Sequence, residues 1–295
     1  MPSLRSKLLV VILRVIGVKR DLNRLEQRVA NKERTKTEPT RRQRRKYAIS
    51  TRELKGHKIW TIAPHENTSG KYLIYLHGGA YVNSFAAQHW GFMSKLVQRL
   101  NCTIVAPDYP HAPEYFVHDT SDLVLQVYRE TIAAAGGSSK VYLMGDSSGG
   151  GIALALAQRL REEGIGQPGY IVLLSPWLDA TLSNPEIPAI DKIDPFLGVV
   201  GMKWSGRAYA HNLDPTNYLV SPVYGSLQGL APISVFIGTR DILLPDCRKL
   251  QARALAEGVV LDYHEYDGMV HNWMLVPLPE SKRVLNTIVE RLSHG

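Results

Sequence analysis

Cysteine is scarce in this chain of 295 residues, which contains only Cys102 and Cys247. Each cysteine lies beside an apolar run, and neither shows a spacing typical of a metal site. Two such residues are more typical of buried, reduced thiols than of a disulfide. The sequence therefore predicts free thiols and a reducing compartment, and we expect a cytoplasmic protein.

Long apolar runs are also missing. The basic start and the apolar run Leu8–Leu13 are reminiscent of a signal peptide. However, Arg14 ends this run, Lys19 and Arg20 follow it, and no pair of small residues offers a cleavage site. Because a membrane span needs about 18 or more apolar residues, we expect neither a transmembrane helix nor a signal peptide.

The positive charge of the chain is confined to its first part. The formal net charge is +8, and residues 1–46 hold 15 Lys or Arg against 4 Asp or Glu. Residues 47–295 carry a net charge of −3. The basic character therefore belongs to the N-terminal segment, and we expect no nucleic-acid partner for the rest of the chain.

The N-terminal segment, residues 1–46, combines its charge with an apolar stripe. Apolar residues recur at spacings of three and four from Leu8 to Val29, which predicts one long amphipathic helix. Residues 31–46 are interpreted as a linker or a second, poorly packed helix. We expect the segment to form part of a cap, because a free stripe would expose a large apolar patch. The alternatives are an anchor on an anionic membrane surface and packing in a homo-oligomer.

From residue 47 onward, strand-like and helix-like stretches alternate. Strands are predicted at Tyr47–Leu54, His57–Ala63, Lys71–Leu76, Thr103–Ala106, Val141–Met144, Tyr170–Leu174, Ile233–Ile237 and Val259–Tyr266. Helices are predicted at Gln88–Leu100, His118–Ala134, Ser148–Glu163, Asp246–Glu257 and Pro279–Leu292. This alternation predicts an α/β fold over residues 47–295, with a mostly parallel central sheet flanked by helices. The proline-rich residues 179–231 exceed a normal connection and are expected to form a helical cap insertion.

The most informative motif is Gly145-Asp146-Ser147-Ser148-Gly149, which ends an apolar run and opens a helix-forming run. This is G-x-S-x-G in a strand–turn–helix context, typical of the nucleophile elbow of α/β-hydrolases. Ser147 is expected at positive φ, while Gly145 and Gly149 give the neighbouring strand and helix room to pass. No lysine follows the glycines, so a Walker A phosphate loop is excluded.

A second glycine motif, His77-Gly78-Gly79-Ala80, directly follows a predicted strand. The backbone N–H groups of Gly78 and Gly79, together with that of Ser148, are predicted to form an oxyanion hole. His77 precedes the glycines, so we expect it to hold the loop by hydrogen bonds rather than to act as a base.

An acid and a histidine must follow Ser147 in that order. The histidines that do so are His211, His264, His271 and His294. His271 lies in a loop right after the last predicted strand and is the candidate base. Asp241 lies just beyond another strand and is the candidate acid, whereas Asp246 is expected to be a helix N-cap and Asp267 a turn former. Ser147, Asp241 and His271 would then form a catalytic triad.

Four local motifs resemble those of the hormone-sensitive-lipase-like family of α/β-hydrolase esterases. They are His77-Gly78-Gly79-Ala80 for H-G-G-G, Asp108-Tyr109-Pro110-His111-Ala112-Pro113-Glu114 for D-Y-R-L-A-P-E, Gly145-Asp146-Ser147-Ser148-Gly149-Gly150 for G-D-S-A-G-G, and Ser175-Pro176-Trp177-Leu178-Asp179 for S-P-W-x-D. With Asp241 and His271, the resemblance covers roughly residues 70–275. The chain departs from the family pattern where Ala80 replaces the third glycine, and where Pro110 and His111 replace Arg and Leu.

The resemblance implies a carboxylic-ester hydrolase for a small-molecule ester, acting through an acyl-enzyme on Ser147 without metal or cofactor. Bulky rings near a site tend to shorten a pocket, so we expect acetyl to butyryl esters to be preferred. The rings in question are Phe196, Trp204 and Tyr209 of the insertion, and Tyr81 and Phe85 after the oxyanion loop. The alternatives are a membrane-surface lipase for longer acyl chains and a non-catalytic, ligand-binding relative of the same fold.

Overall fold

One eight-stranded sheet forms the centre of the molecule. The computed structural model describes residues 2–66 and 68–294, without the side chain of residue 294. The strands are Ala48–Leu54 (β1), His57–Ala63 (β2), Tyr72–Leu76 (β3), Thr103–Pro107 (β4), Val141–Asp146 (β5), Tyr170–Leu174 (β6), Ile233–Gly238 (β7) and Leu261–Tyr266 (β8). They lie in the order β1-β2-β4-β3-β5-β6-β7-β8. The pairs β1–β2 and β2–β4 are antiparallel and all others are parallel, which confirms the predicted, mostly parallel sheet.

Helices cover both faces of this sheet, as predicted. They are Leu4–Ile16 (α1), Val18–Asn23 (α2), Leu25–Ala30 (α3), Arg41–Lys46 (α4), Ala87–Leu100 (α5), Val117–Ala135 (α6), Ser148–Glu162 (α7), Ile187–Asp191 (α8), Val199–Ala210 (α9), Leu244–Ala256 (α10) and Pro279–His294 (α11). Helices α6, α7 and α10 bury one apolar core, and α5 and α11 bury the other. Strands β5 and β7 are buried along their whole length, as expected of parallel strands covered on both faces.

The predicted single helix of the N-terminal segment is wrong. Gly17, with a φ of 75°, ends α1 and opens α2, and Arg24 separates α2 from α3. Because a residue in the left-handed conformation cannot continue a helix, the chain turns at this glycine. Helices α2 and α3 then pack against α9, where a side chain on Gly201 would collide with the backbone of Leu22.

The predicted apolar stripe also faces the wrong way in α1. Val10 and Leu13 are buried, whereas Leu8 and Val15 are 57% and 80% exposed. The orientation of α1 is set by its first turn, in which the hydroxyl of Ser6 donates to the carboxylate of Glu280 in α11 at 2.8 Å. In α1, the apolar face that the periodicity predicts to be buried therefore points toward solvent.

Residues 31–46 form neither a free linker nor one long helix, which were the two predicted alternatives. Their first part is extended chain that is hydrogen-bonded to the protein body, and their last part is a short helix. The backbone N–H of Thr37 donates to the carbonyl of Phe85, and the carbonyl of Thr35 accepts from Ser84. The chain then forms the short α4, whose start is stabilised by a capping box between Thr40, the N-cap, and Gln43 in the first turn. The segment thus runs alongside the loop that follows the oxyanion glycines.

The proline-rich insertion contains two helices. Both α8 and α9 lie within residues 179–231, and α9 carries the surface on which α2 and α3 pack. Within the described chain, we find no helix of the length and apolar character that a membrane span requires. Cys102 and Cys247 are both buried free thiols, as predicted.

Candidate active site

The nucleophile elbow lies where β5 ends and α7 begins. Ser147 has a φ of 54°, which confirms the predicted positive value, and only 4% of it is exposed. A side chain on Gly145 would collide with the backbone of Gly149, and one on Gly149 would collide with that of Leu76. The two glycines therefore permit the close approach of strand and helix that places Ser147 at the end of the sheet.

The predicted acid and base are hydrogen-bonded to each other. Nδ1 of His271 lies 2.8 Å from Oδ2 of Asp241, and both residues are buried. Oδ1 of Asp241 accepts from the backbone N–H of Leu243, which fixes the carboxylate. Burial opposes the charged imidazolium, but the charge and the hydrogen bond of Asp241 outweigh it and raise the pKa of His271. A carboxylate in this position fixes the ring, leaving Nε2 for the substrate side.

The rival acids lie elsewhere. Asp267 is an exposed turn residue, as predicted. Asp246 is not an N-cap, because α10 begins at Leu244 and so places Asp246 in its first turn. Its carboxylate is buried and accepts a hydrogen bond from Asn184, and burial with the nearby charge of Asp179 raises its pKa to about 7.

The rival histidines have structural surroundings. His264 lies in β8, stacks on Phe236 at 4.7 Å and pairs with Asp262. His211 follows α9 and stacks on Phe116 at 3.9 Å. The side chain of His294 lies outside the described residues.

The structure of the oxyanion loop differs from the prediction in one of the oxyanion donors. The backbone N–H of Gly78 donates to Oδ1 of Asp146 at 3.0 Å and is therefore engaged. Gly79 and Ala80 both line the cavity above Ser147, and their N–H groups donate to no other residue in the described part of the chain. The prediction of Gly78 as an oxyanion donor is wrong, because its N–H is bonded to Asp146 instead. The carboxylate of Asp146 occupies the space that a side chain at residue 78 would fill. As expected for a structural role, Nδ1 of His77 lies 2.8 Å from the carbonyl of Gly78.

Asp146 is a site residue that the sequence did not single out. Its carboxylate is fully buried and accepts from the hydroxyl of Tyr75, the N–H of Gly78, Nε2 of His89 and the amide of Asn272. Burial alone would raise the pKa of Asp146. His89 and these hydrogen bonds outweigh burial and hold the pKa below its usual value. Asn272 directly follows His271 in the loop after β8, which we call the histidine loop. This one carboxylate therefore connects the nucleophile elbow, the oxyanion loop and the histidine loop.

Asp194 in the insertion is a second residue that the sequence analysis missed. Its carboxylate accepts from the backbone N–H groups of Phe196, Leu197 and Ile242. Burial and the nearby charge of Asp241 raise the pKa of Asp194 to about 7. Asp194 thereby links Phe196 and Leu197, which line the cavity, to Ile242, which follows the candidate acid. In the sequence, Asp194 directly precedes Pro195 and belongs to no motif, so the sequence does not indicate this contact.

A cavity of about 190 Å³ connects Ser147 with His271. Large aliphatic side chains from α1, α2, the proline-rich insertion and the histidine loop form part of its wall. The aliphatic residues are Leu9, Leu13, Leu22, Leu197, Met202, Val270, Leu275 and Val276. Of the described residues, those in the proposed triad belong to no group of three potential metal ligands.

The cavity wall differs from the predicted one. Phe196 lines the cavity, but Tyr81 and Tyr209 stack on each other at 3.8 Å, and Phe85 and Trp204 lie outside the wall. The expectation that five aromatic rings narrow the pocket is therefore wrong. Leucines of the N-terminal segment limit it instead, because the chain turn at Gly17 brings α1 and α2 over the site.

Comparisons with known proteins identify relatives of this chain. A family model described as alpha/beta hydrolase fold matches residues 73–275. An esterase of Acinetobacter venetianus is 29% identical over 221 residues, which cover 74% of this chain and 73% of the relative. An acetyl-hydrolase of Streptomyces hygroscopicus is 29% identical over 218 residues, covering 73% of each chain.

A solved structure shows the same fold. The HSL homolog EstE7 from a metagenome library superposes with a TM-score of 0.85 at 24% identity, covering 98% of each chain. The fold of the present chain is therefore one known from a solved structure. The chain belongs to the α/β-hydrolase family and is a carboxylic-ester hydrolase.

Proposed function

We propose that the protein hydrolyses its ester through an acyl-enzyme on Ser147. The observation that supports this best is the hydrogen bond between His271 and Asp241, in a cavity that Ser147 also lines. Oγ of Ser147 attacks the ester carbonyl carbon while Nε2 of His271 accepts its proton and then passes it to the departing alcohol. A water molecule, deprotonated by the same imidazole, then releases the acid and restores the serine.

The oxyanion of the tetrahedral intermediate needs donors aimed at one point. We assign this role to the N–H groups of Gly79, Ala80 and Ser148, with Gly78 replaced by Ala80 relative to the sequence prediction. Ser148 is the first residue of α7, so its N–H lies at the positive end of that helix. Removing one such donor typically costs about 3 kcal/mol of transition-state stabilisation.

The nucleophile is tested by exchanging single serines. Ser147→Ala should lower kcat for p-nitrophenyl acetate by about 10⁴-fold or more, because covalent catalysis is lost. Ser205→Ala is the matched control, since Ser205 is equally buried but bonds only within α9. Retention of most activity in Ser147→Ala, with normal folding, would exclude this mechanism.

The acyl group is proposed to be short. A cavity of about 190 Å³ is smaller than the 300–1,000 Å³ typical of sites for drug-sized ligands. The name acetyl-hydrolase of the Streptomyces relative agrees with a small acyl group. We expect acetyl to butyryl esters to be turned over faster than esters of eight carbons or more.

A widened cavity tests this limit. Leu13→Ala removes a side chain that is 7% exposed and lines the cavity, so the ratio of octanoate to acetate kcat/KM should rise. Leu8→Ala, on the outer face of the same helix, should leave the ratio unchanged. A wild type that already prefers decanoate or palmitate over acetate would overturn the proposal.

We also propose that α1 docks the enzyme on an anionic lipid surface. Its outer face carries Leu4, Leu8, Val11 and Val15, spaced four, three and four apart, and each is more than half exposed. The exposed residues Lys7 and Arg14 lie along one side of this stripe, as in interfacial amphipathic helices.

The position of α1 fits a substrate that arrives from a membrane. The inner face of the helix contributes Leu9 and Leu13 to the cavity wall, so docking would place the cavity close to the lipid. Each basic residue near an anionic surface adds about 1 kcal/mol of binding. The cap and anchor roles considered for this segment are therefore compatible, because they use opposite faces of α1.

Vesicle sedimentation tests the docking. The wild type should sediment with phosphatidylglycerol vesicles at low salt, and less with phosphatidylcholine alone. Val15→Asp should abolish this binding, whereas Leu255→Asp should not, although Leu255 in α10 is 83% exposed and thus matched to Val15 at 80%. A wild type that stays in solution, or a dimer that Val15→Asp dissociates, would show that lipid is not the occupant of this face.

A further inference from the structure

Three side chains behind the oxyanion loop bring potential metal ligands within 4.8 Å of one another. They are His77, Asp108 and His111, and no other such group occurs among residues 2–66 and 68–294. His77 follows β3, and the other two lie in the loop after β4. Nε2 of His77 and Nε2 of His111 each lie 3.7 Å from Oδ1 of Asp108. All three atoms are buried and lack a hydrogen-bond partner in the described chain.

The free ring nitrogen of His77 is an acceptor. Nδ1 lies 2.8 Å from the carbonyl oxygen of Gly78, which can only accept, so Nδ1 carries the proton of the neutral ring. Nε2 then presents a lone pair to the carboxylate of Asp108, and two acceptors face each other. Either a second proton on His77 or a cation between the two groups would satisfy this contact.

The distances distinguish between these alternatives. Nε2 of His77 and Nε2 of His111 each lie 3.7 Å from Oδ1 of Asp108, which is too long for a hydrogen bond from either ring. A proton on one ring would therefore join none of the three groups by a hydrogen bond. A metal ion would bind all three atoms.

We propose that His77, Asp108 and His111 bind one Zn²⁺ ion. Two imidazoles and one carboxylate form a known zinc ligand set, with the fourth place taken by water. Bond lengths of about 2.0–2.1 Å put tetrahedral ligand atoms roughly 3.4 Å apart, close to the 3.7 Å that separates each histidine Nε2 from Oδ1 of Asp108. The contact from Nδ1 of His77 to a carbonyl is the kind of outer interaction that orients a ligating histidine. The side chains of His111 and Asp108 are 16% and 12% exposed, so the ion can enter from solvent.

The zinc site lies apart from the substrate. None of its three side chains lines the cavity above Ser147, so the ion does not touch the substrate. It links the end of β3, from which the oxyanion loop continues, to the loop after β4. His111 stands where the related motif has Leu, which makes the third ligand a feature of this chain.

Metal binding is tested on the full chain after chelation and dialysis. Calorimetric titration with Zn²⁺ should give one site per chain, and Zn²⁺ should raise the melting temperature. His111→Leu should lose both the site and the thermal shift. The matched control is His264→Leu, which removes a histidine paired with Asp262 at 3.0 Å but without a third ligand, and it should keep both.

Two results would overturn the proposal. One is a wild type that binds no Zn²⁺ at micromolar concentration. The other is undiminished one-to-one binding in His111→Leu or, should that variant misfold, in His111→Gln. Labelling of Ser147 by an organophosphate is measured in parallel, so that failure of the zinc site is separable from failure of the esterase mechanism.

Discussion

The carboxylate of Asp146 gives the sharpest prediction about how the site is held together. In Asp146→Asn, the remaining amide oxygen can still accept from Tyr75 and Gly78, at 2.7 and 3.0 Å in the wild type. The new amide nitrogen faces Nε2 of His89 and the amide of Asn272, so donors meet donors. Hydrogen bonds to a charged group contribute about 1.5–3 kcal/mol each, so losing two should destabilise the fold by about 3–6 kcal/mol.

The same change should lower activity, because Asn272 adjoins the candidate base and Gly78 adjoins a proposed oxyanion donor. A misplacement of about 1 Å in such groups can cost about 10²-fold in rate, and we expect a fall in kcat of that order.

Urea unfolding measures the free energy of unfolding. The kinetics with p-nitrophenyl acetate are measured without urea, at a temperature at which the variant is fully folded. Asp179→Asn is the matched control, because Asp179 is equally buried and accepts from Thr181 and Tyr224, away from the cavity. The control should lose stability while keeping most of its kcat. Unfolding free energy and kcat both near wild type in Asp146→Asn would refute the role assigned to this carboxylate.

Other predictions concern the triad and the elbow. Asp241→Ala should reduce kcat/KM by about 10⁴-fold and Asp246→Ala by far less; the reverse order would identify Asp246 as the acid. Because the pKa of His271 is raised above its ordinary value of 6.5, and the neutral ring is the base, kcat/KM should fall as pH drops through a value above 6.5. The stability that this raised pKa provides is complete below 6.5 and is lost as pH rises through the folded-state pKa, which pH-dependent unfolding measures. Gly149→Ala should fail to fold or lose activity, since its methyl group would meet the backbone of Leu76, and a normal melting temperature and kcat would contradict this.

The sequence predicted the parts of the site that depend on local signals. The positive φ of Ser147 follows from its neighbouring glycines, and the structure confirms it. His271 and Asp241 were selected because each follows a strand, and in a parallel sheet such loops meet at one edge. The short apolar runs likewise predicted the strands to within a few residues, since buried parallel strands are apolar throughout.

The features that sequence reasoning missed depend on distant partners. Gly78 donates to Asp146, which is 68 residues away. The outward face of α1 is set by the contact of Ser6 with Glu280, which is 274 residues away. Periodicity identifies an apolar stripe but not the surface that covers it, so α1 was assigned the wrong inner face.

The most direct test of the account is the mass of the enzyme during turnover. Rapid acid quenching with p-nitrophenyl acetate, followed by peptide mapping, should show a single acetyl group on Ser147. The label should be absent from Ser147→Ala. An acetyl group on another residue, or an alanine variant that still hydrolyses the ester at most of the wild-type rate, would contradict the proposal that Ser147 is the nucleophile.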